Sequence, residues 1–171
     1  MSPSTVLDHV PALRRYARAL TGDVWAADDL VQDTLERACD KWRLWRAGDL
    51  RAWLFTLMHN LYLNQRRPLA PAALVPLDDA AELAAPAGGQ DAAIDLRRCL
   101  MRLPAEQRAV LLLVTLEDVG YTEAARILGI PVGTVMSRLS RARTRLRELM
   151  EAPAATPALV PSNPAALRRL K

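Results

Sequence analysis

The run from Tyr121 to Arg147, YTEAARILGIPVGTVMSRLSRARTRLR, constrains this chain more than any other segment. A short helical pattern comes first, with Ala124, Ala125 and Leu128 on its apolar side. Thr122 is a candidate cap, since its hydroxyl can accept from backbone N–H groups, and Glu123 suits the positive end of the dipole. Gly129 supplies the turn because it tolerates positive φ. Pro131 suits the first turn of the next helix, where no N–H bond is lost. In that helix Val135, Leu139, Ala142, Leu146 and Leu149 recur at core spacing. Thr134, Ser137, Arg138, Arg141 and Arg145 fall on a separate stripe, about a third of a turn away. Such a helix-turn-helix packs one side on its own domain and offers the other to a DNA major groove. Arginines alone would equally fit a solvated face. With the preceding helix and turn they fit a groove reader.

Composition sets the class of the rest. Hydrophobic residues make up 51% of the 171 residues but aromatics only 5%, so the cores are built from Leu and Ala, both good helix formers. No alternating strand pattern bounded by turn residues is present. The expected class is all-α: two small helical domains joined by a flexible linker, the second containing the helix-turn-helix. The boundaries expected are 1–67, a linker at 68–91, a second domain at 92–150 and a flexible tail at 151–171. The linker, PLAPAALVPLDDAAELAAPAGGQD, is rich in Pro, Ala and Gly and lacks Lys and Arg. Fully extended it would reach roughly 80 Å; as a relaxed coil it would average about 25–30 Å.

The net charge of +4 is modest but unevenly placed. Asp23, Asp28, Asp29, Asp33, Glu36 and Asp40 make one acidic segment, and Arg138 to Arg147 a basic one, which suggests more than one charged partner. In ADDLVQDTLERA (27–38), Leu30, Val31, Thr34, Leu35 and Ala38 form an apolar stripe. Asp28, Asp29, Gln32, Asp33 and Glu36 form the opposite face, either solvated or a docking surface for a basic helix. Cys39 and Cys99 read as two buried, reduced thiols. Neither a signal peptide nor an apolar run of membrane-spanning length is evident. A cytoplasmic protein is expected, with no membrane insertion.

The helix at 50–67, LRAWLFTLMHNLYLNQRR, carries a second pattern. Trp53, Leu54, Leu57, Met58 and Leu61 can bury. Phe55, His59, Asn60, Tyr62 and Asn64 mix aromatic and amide groups, and Arg66 and Arg67 close the segment. Aromatic rings stack on unpaired bases, Asn can bond a splayed base edge, and terminal arginines can hold phosphates. The competing reading puts Trp53 and Phe55 in the core. No second His or Cys stands near His59 at ligand spacing, so no metal site is expected. No phosphate loop, acid–base pair or activated nucleophile is visible, so neither catalysis nor a cofactor is expected.

Together these segments resemble the extracytoplasmic-function sigma factors, the smallest bacterial sigma factors. GTVMSRLSRAR is similar to their region 4, DDLVQDTLERA to region 2.2, and RAWLFTLMHNLYLNQRR to regions 2.3 and 2.4, in the family's order and spacing. The resemblance implies a non-enzymatic promoter-specificity subunit of RNA polymerase. Asp28, Asp29, Gln32, Asp33 and Glu36 would dock on the β′ clamp helices of core RNA polymerase, and region 4 would also touch the β flap. Trp53, Phe55, Asn60, Asn64, Arg66 and Arg67 would handle single-stranded −10 promoter DNA. Thr134, Met136, Ser137, Arg138, Ser140, Arg141, Arg143 and Arg145 would meet the −35 duplex. An anti-sigma factor is the further partner implied. Two departures stand out: Met136 replaces a frequent basic residue, and KWRLWRAGD lacks the Phe-Arg-Gly pattern common before region 2.3. The alternative is an ordinary helix-turn-helix regulator not associated with core polymerase, whose N-terminal half senses a ligand or dimerises. That reading leaves the aromatic and amide helix unexplained.

Overall fold

The computed structural model describes residues 4–44, 48–66 and 90–151. Over these the protein is helical, with α1 at Ser4–Leu7, α2 at Val10–Thr21, α3 at Val24–Lys41, a single tighter turn at Trp42–Leu44, and α4 at Leu50–Arg66. The second group comprises α5 at Gln90–Met101, α6 at Ala105–Thr115, α7 at Tyr121–Leu128 and α8 at Val132–Glu151. The all-α expectation holds. Most of the expected linker and tail lies outside the described residues, but α5 starts at Gln90, inside the segment expected to be linker.

Local chemistry sets the breaks. Gly22 ends α2 at φ +74°, a left-handed conformation that suits glycine. Asp23 then starts α3 by accepting from the Ala26 N–H at 2.7 Å. Gly22 has a second duty: the Met101 side chain, from the end of α5, occupies the space a Cβ would need. Leu13, Tyr16 and Leu20 of α2, Leu30 and Thr34 of α3, and Leu54, Phe55 and Met58 of α4 are fully buried. Thr34 satisfies its buried hydroxyl by donating to the Leu30 carbonyl at 2.6 Å. In the second group Val110, Leu113, Ala124, Ile127, Val135, Leu139 and Ala142 form the core. Leu112 and Leu113 are packing residues, as their position in an apolar run suggests.

The two groups share one continuous core. α2 packs on α6, and α4 packs on α7. The α4 helix therefore spends much of its surface against the second helical group, which its own periodicity does not announce.

Candidate nucleic-acid interface

The helix-turn-helix is built as its residues demand. Gly129 caps α7 at φ +64°, and the Ile130 N–H returns to the Ala125 carbonyl at 3.1 Å, so the chain reverses tightly. The carbonyl of Pro131 accepts from the N–H groups of Thr134 and Val135 at 2.9 and 3.1 Å, opening α8. Thr122 is not the cap of α7: Gly120 holds that position without a side-chain bond, and Thr122 lies inside the helix, exposed. Buried Ala124 and Ala125 let α8 approach closely.

On α8, Val135, Leu139 and Ala142 are buried, while Leu146 and Leu149 pack at the core's edge. The opposite surface presents Met136, Ser137, Ser140, Arg141, Arg143 and Arg145, all exposed, with Thr134 half-buried. The Ser137 hydroxyl donates to the Thr134 carbonyl at 3.1 Å. Arg138 stands apart. Its guanidinium holds the Glu106 carboxylate of α6 at 2.6 Å, and its side chain is only 26% exposed. Arg138 is thus already engaged, whereas Arg141 is a guanidinium with open access.

His59 of α4 lies near this pair and is 6% exposed. Burial, then the positive charge of Arg138, holds its imidazole down to about pKa 4, with Glu106 opposing weakly. It is a neutral packing histidine. Nearby, Glu123 of α7 is held above the usual carboxylate range by burial and by its hydrogen bond and charge interaction with Asp49. Asp49 sits just before α4 and bonds the Ala52 N–H at 3.2 Å.

The α4 residues divide differently from expectation. Phe55 is 1% exposed and meets Tyr16 edge to face, with centroids 5.3 Å apart. The Arg51 guanidinium covers its ring at 5.2 Å. Phe55 is therefore core, not part of an open aromatic face, because Tyr16 of α2 and Arg51 cover its ring. His59 and Tyr62 are buried too. Trp53 is half-buried against Trp42, with centroids 6.3 Å apart. Asn60, Asn64 and Arg66 are exposed. Arg66 folds over Tyr62 and donates to its hydroxyl at 3.1 Å. Arg67 lies outside the described residues.

On α3, Asp29, Gln32, Asp33 and Glu36 share an exposed face and Asp28 is half-exposed, while Leu30, Val31, Thr34 and Ala38 are buried beneath. Gln32 donates to Glu36 at 3.0 Å, and Gln65 of α4 donates to Asp33 at 3.0 Å. Cys99 is buried as expected. Cys39 is exposed, because it lies off the apolar stripe of α3.

The residues missed from sequence are those joining the two helical groups. Glu117, in the turn between α6 and α7, has a fully buried side chain. Arg15 of α2 donates to both its carboxylate oxygens at 2.9 and 2.8 Å. Arg51 of α4 adds bonds to its backbone carbonyl at 2.7 Å and its carboxylate at 3.0 Å. Arg108 of α6 is buried as well. It donates to the Tyr62 hydroxyl at 2.8 Å and to the Leu100 and Met101 carbonyls at 3.3 and 3.2 Å, closing the end of α5. The one local hint was the pair of acids, Glu117 and Asp118, between Leu116 and Val119 at the end of an apolar run. Among the described residues no group of three or more His, Cys, Asp or Glu could hold a metal, and no helix is long and apolar enough to cross a membrane.

Comparison with known proteins gives this geometry its context. Residues 6–59 match the Sigma2 domain of PhyR, and residues 93–146 match sigma-70 region 4. The ECF RNA polymerase sigma factor EcfG of Rhodopseudomonas palustris is 38% identical over 149 residues, spanning 85% of this chain and 82% of its own length. This chain belongs to the ECF RNA polymerase sigma factor family. The sigma factor SigM of Mycobacterium tuberculosis is 34% identical, over 83% of this chain and 73% of its own. The sigma factor RpoE of Bartonella quintana, solved in complex with the anti-sigma factor NepR, superposes with a TM-score of 0.68 at 32% identity, covering 87% of this chain and 96% of that one. CnrH, solved in complex with the cytosolic domain of CnrY, gives 0.67 at 26% identity, covering 88% of each chain. Sigma factors are not enzymes, and the N-terminal half is a sigma domain rather than the sensor of an ordinary regulator.

Proposed function

We propose that residues 1–67 of this sigma factor dock on core RNA polymerase and engage the −10 element, and residues 92–150 read the −35 element. Residues 68–91 would link the two, with 151–171 as a tail. The observation that carries this reading is the two-sided α8. Its buried face is fully packed, and its free face is lined with Ser137, Ser140, Arg141, Arg143 and Arg145. Hydroxyls and guanidiniums are the groups that bond base edges and phosphates in a major groove. The exposed acidic face of α3, with Asp28, Asp29, Gln32, Asp33 and Glu36, is the surface for the β′ clamp helices. Region 4 also meets the β flap. Asn60, Asn64 and Arg66, beside Trp53, form the single-strand surface, and buried Phe55 is left out of it.

The packing of the two halves bears on how this works. Helices sharing a core lie about 10 Å apart, whereas two promoter elements a little under two helical turns apart are separated by about 60 Å. The halves therefore part on the promoter, and the packed arrangement is the unengaged form. An anti-sigma factor, the partner carried by the solved relatives RpoE and CnrH, would act on this cytoplasmic protein by holding the packed form. Run-off transcription with core polymerase tests the reading. The chain should produce transcripts from a subset of promoters with a shared −35 and −10 sequence. Co-purification with polymerase without any promoter-dependent transcript would overturn it.

A further inference from the structure

Between Tyr121 and Arg147 the open surface is mostly hydroxyl and guanidinium, and the large apolar side chains left exposed there are Tyr121, Val132 and Met136. Met136 is 53% exposed, and Val132, one turn earlier on the same side of α8, is also exposed. Tyr121, the first residue of α7, is exposed as well. Met136 and Tyr121 border a shallow cleft of about 290 Å³ floored by Leu139, with Ser140, Arg143 and Arg147 on its walls. Among the described residues nothing covers the Met136 side chain to more than about half, and its apolar area gains only when something does.

On a DNA major-groove edge the apolar group is the thymine C5 methyl. Guanine and cytosine present polar atoms there, and a thioether would strip their water without replacing its hydrogen bonds. We propose that Met136, with Tyr121 across the cleft, reads a thymine methyl within the −35 element, while Arg143 and Arg147 hold the adjoining phosphate. This rests on the assignment of α8 to the −35 duplex and adds the chemistry of one position in it. Ser137 and Arg141 select by hydrogen bonds; Met136 selects by a methyl group.

The test uses the full chain with core polymerase. Preferred −35 sequences are selected from a randomised duplex library, and each thymine in the winner is replaced singly by deoxyuridine, which lacks only the methyl. One replacement should weaken binding about fourfold, the worth of one buried methyl group. In Met136→Ala that replacement should have no effect, and Met136→Leu should restore it. Equal binding of thymine and deoxyuridine at every position, or a deoxyuridine penalty unchanged in Met136→Ala, overturns the proposal while leaving the −35 assignment standing. A wild-type chain that selects no −35 sequence overturns both. Met136 is exposed, so neither substitution threatens the fold.

Discussion

Two sets of arginines in this protein have opposite fates. Arg15, Arg51 and Arg108 are spent on partners elsewhere in the molecule, on Glu117, on Tyr62 and on the end of α5. Arg141, Arg143 and Arg145 project from α8 into solvent. The first set joins the two helical groups, and the second stays open to solvent. Residue type does not separate them; what does is whether an acceptor arrives from elsewhere in the fold. A buried carboxylate is stable only when paired, so Glu117 draws two guanidiniums toward it. Exposed guanidiniums on a helix gain little from surface partners and remain available to phosphates and base edges.

The sharpest way to break this contrast is to remove the buried acceptor. Glu117→Ala should destabilise the protein by about 2–3 kcal/mol, toward the low end for a broken buried pair because both arginines still reach water. Urea unfolding measures this, and a change under about 0.5 kcal/mol would mean the seam carries no weight. Because Glu117 bridges the two halves, the variant should also show a longer distance between labels placed on α3 and α8. Next come the exposed arginines. Arg141→Ala should weaken −35 binding by about 1–3 kcal/mol, relax base preference at one position, and leave stability unchanged. Arg138→Ala, by contrast, also frees Glu106, so it should lower stability measurably as well as binding. Equal effects of the two substitutions on stability would erase the distinction between them.

The smallest effect is a pH dependence seated beside Arg138. The His59 imidazole is held at about 4 against an ordinary 6.5. The unfolded chain then binds the extra proton first as pH falls. The contribution of neutral His59 is complete above about 6.5 and is lost progressively between 6.5 and about 4. Glu123, raised instead of lowered, acts in the opposite sense. Comparison with His59→Asn isolates the histidine: the wild type should lose about 1 kcal/mol by pH 5.5 that the variant does not. Parallel pH profiles for the two proteins would place the proton elsewhere.

Much of the helix-turn-helix was legible beforehand because its constraints are local. Periodicity assigned Val135, Leu139 and Ala142 to the core, and Gly129 to the turn, since each depends on neighbours within a few residues. The acidic face of α3 was legible for the same reason. Phe55 was not, because its burial depends on Tyr16, from a helix a chain reversal away. Arg138 carried the same sequence signal as Arg141, yet only one of them has Glu106 in reach.

The sequence by itself determined the helical class, the helix-turn-helix and its division into packed and open faces, because those follow from spacing and from the conformational limits of Gly and Pro. Only the tertiary structure decided which charges are internal. Glu117 meets Arg15 at a sequence separation of 102 and Arg51 at one of 66. Arg108 meets Tyr62 at one of 46. No local pattern encodes such a meeting. It is settled when packed helices exclude water and a charge must find its partner or stay outside.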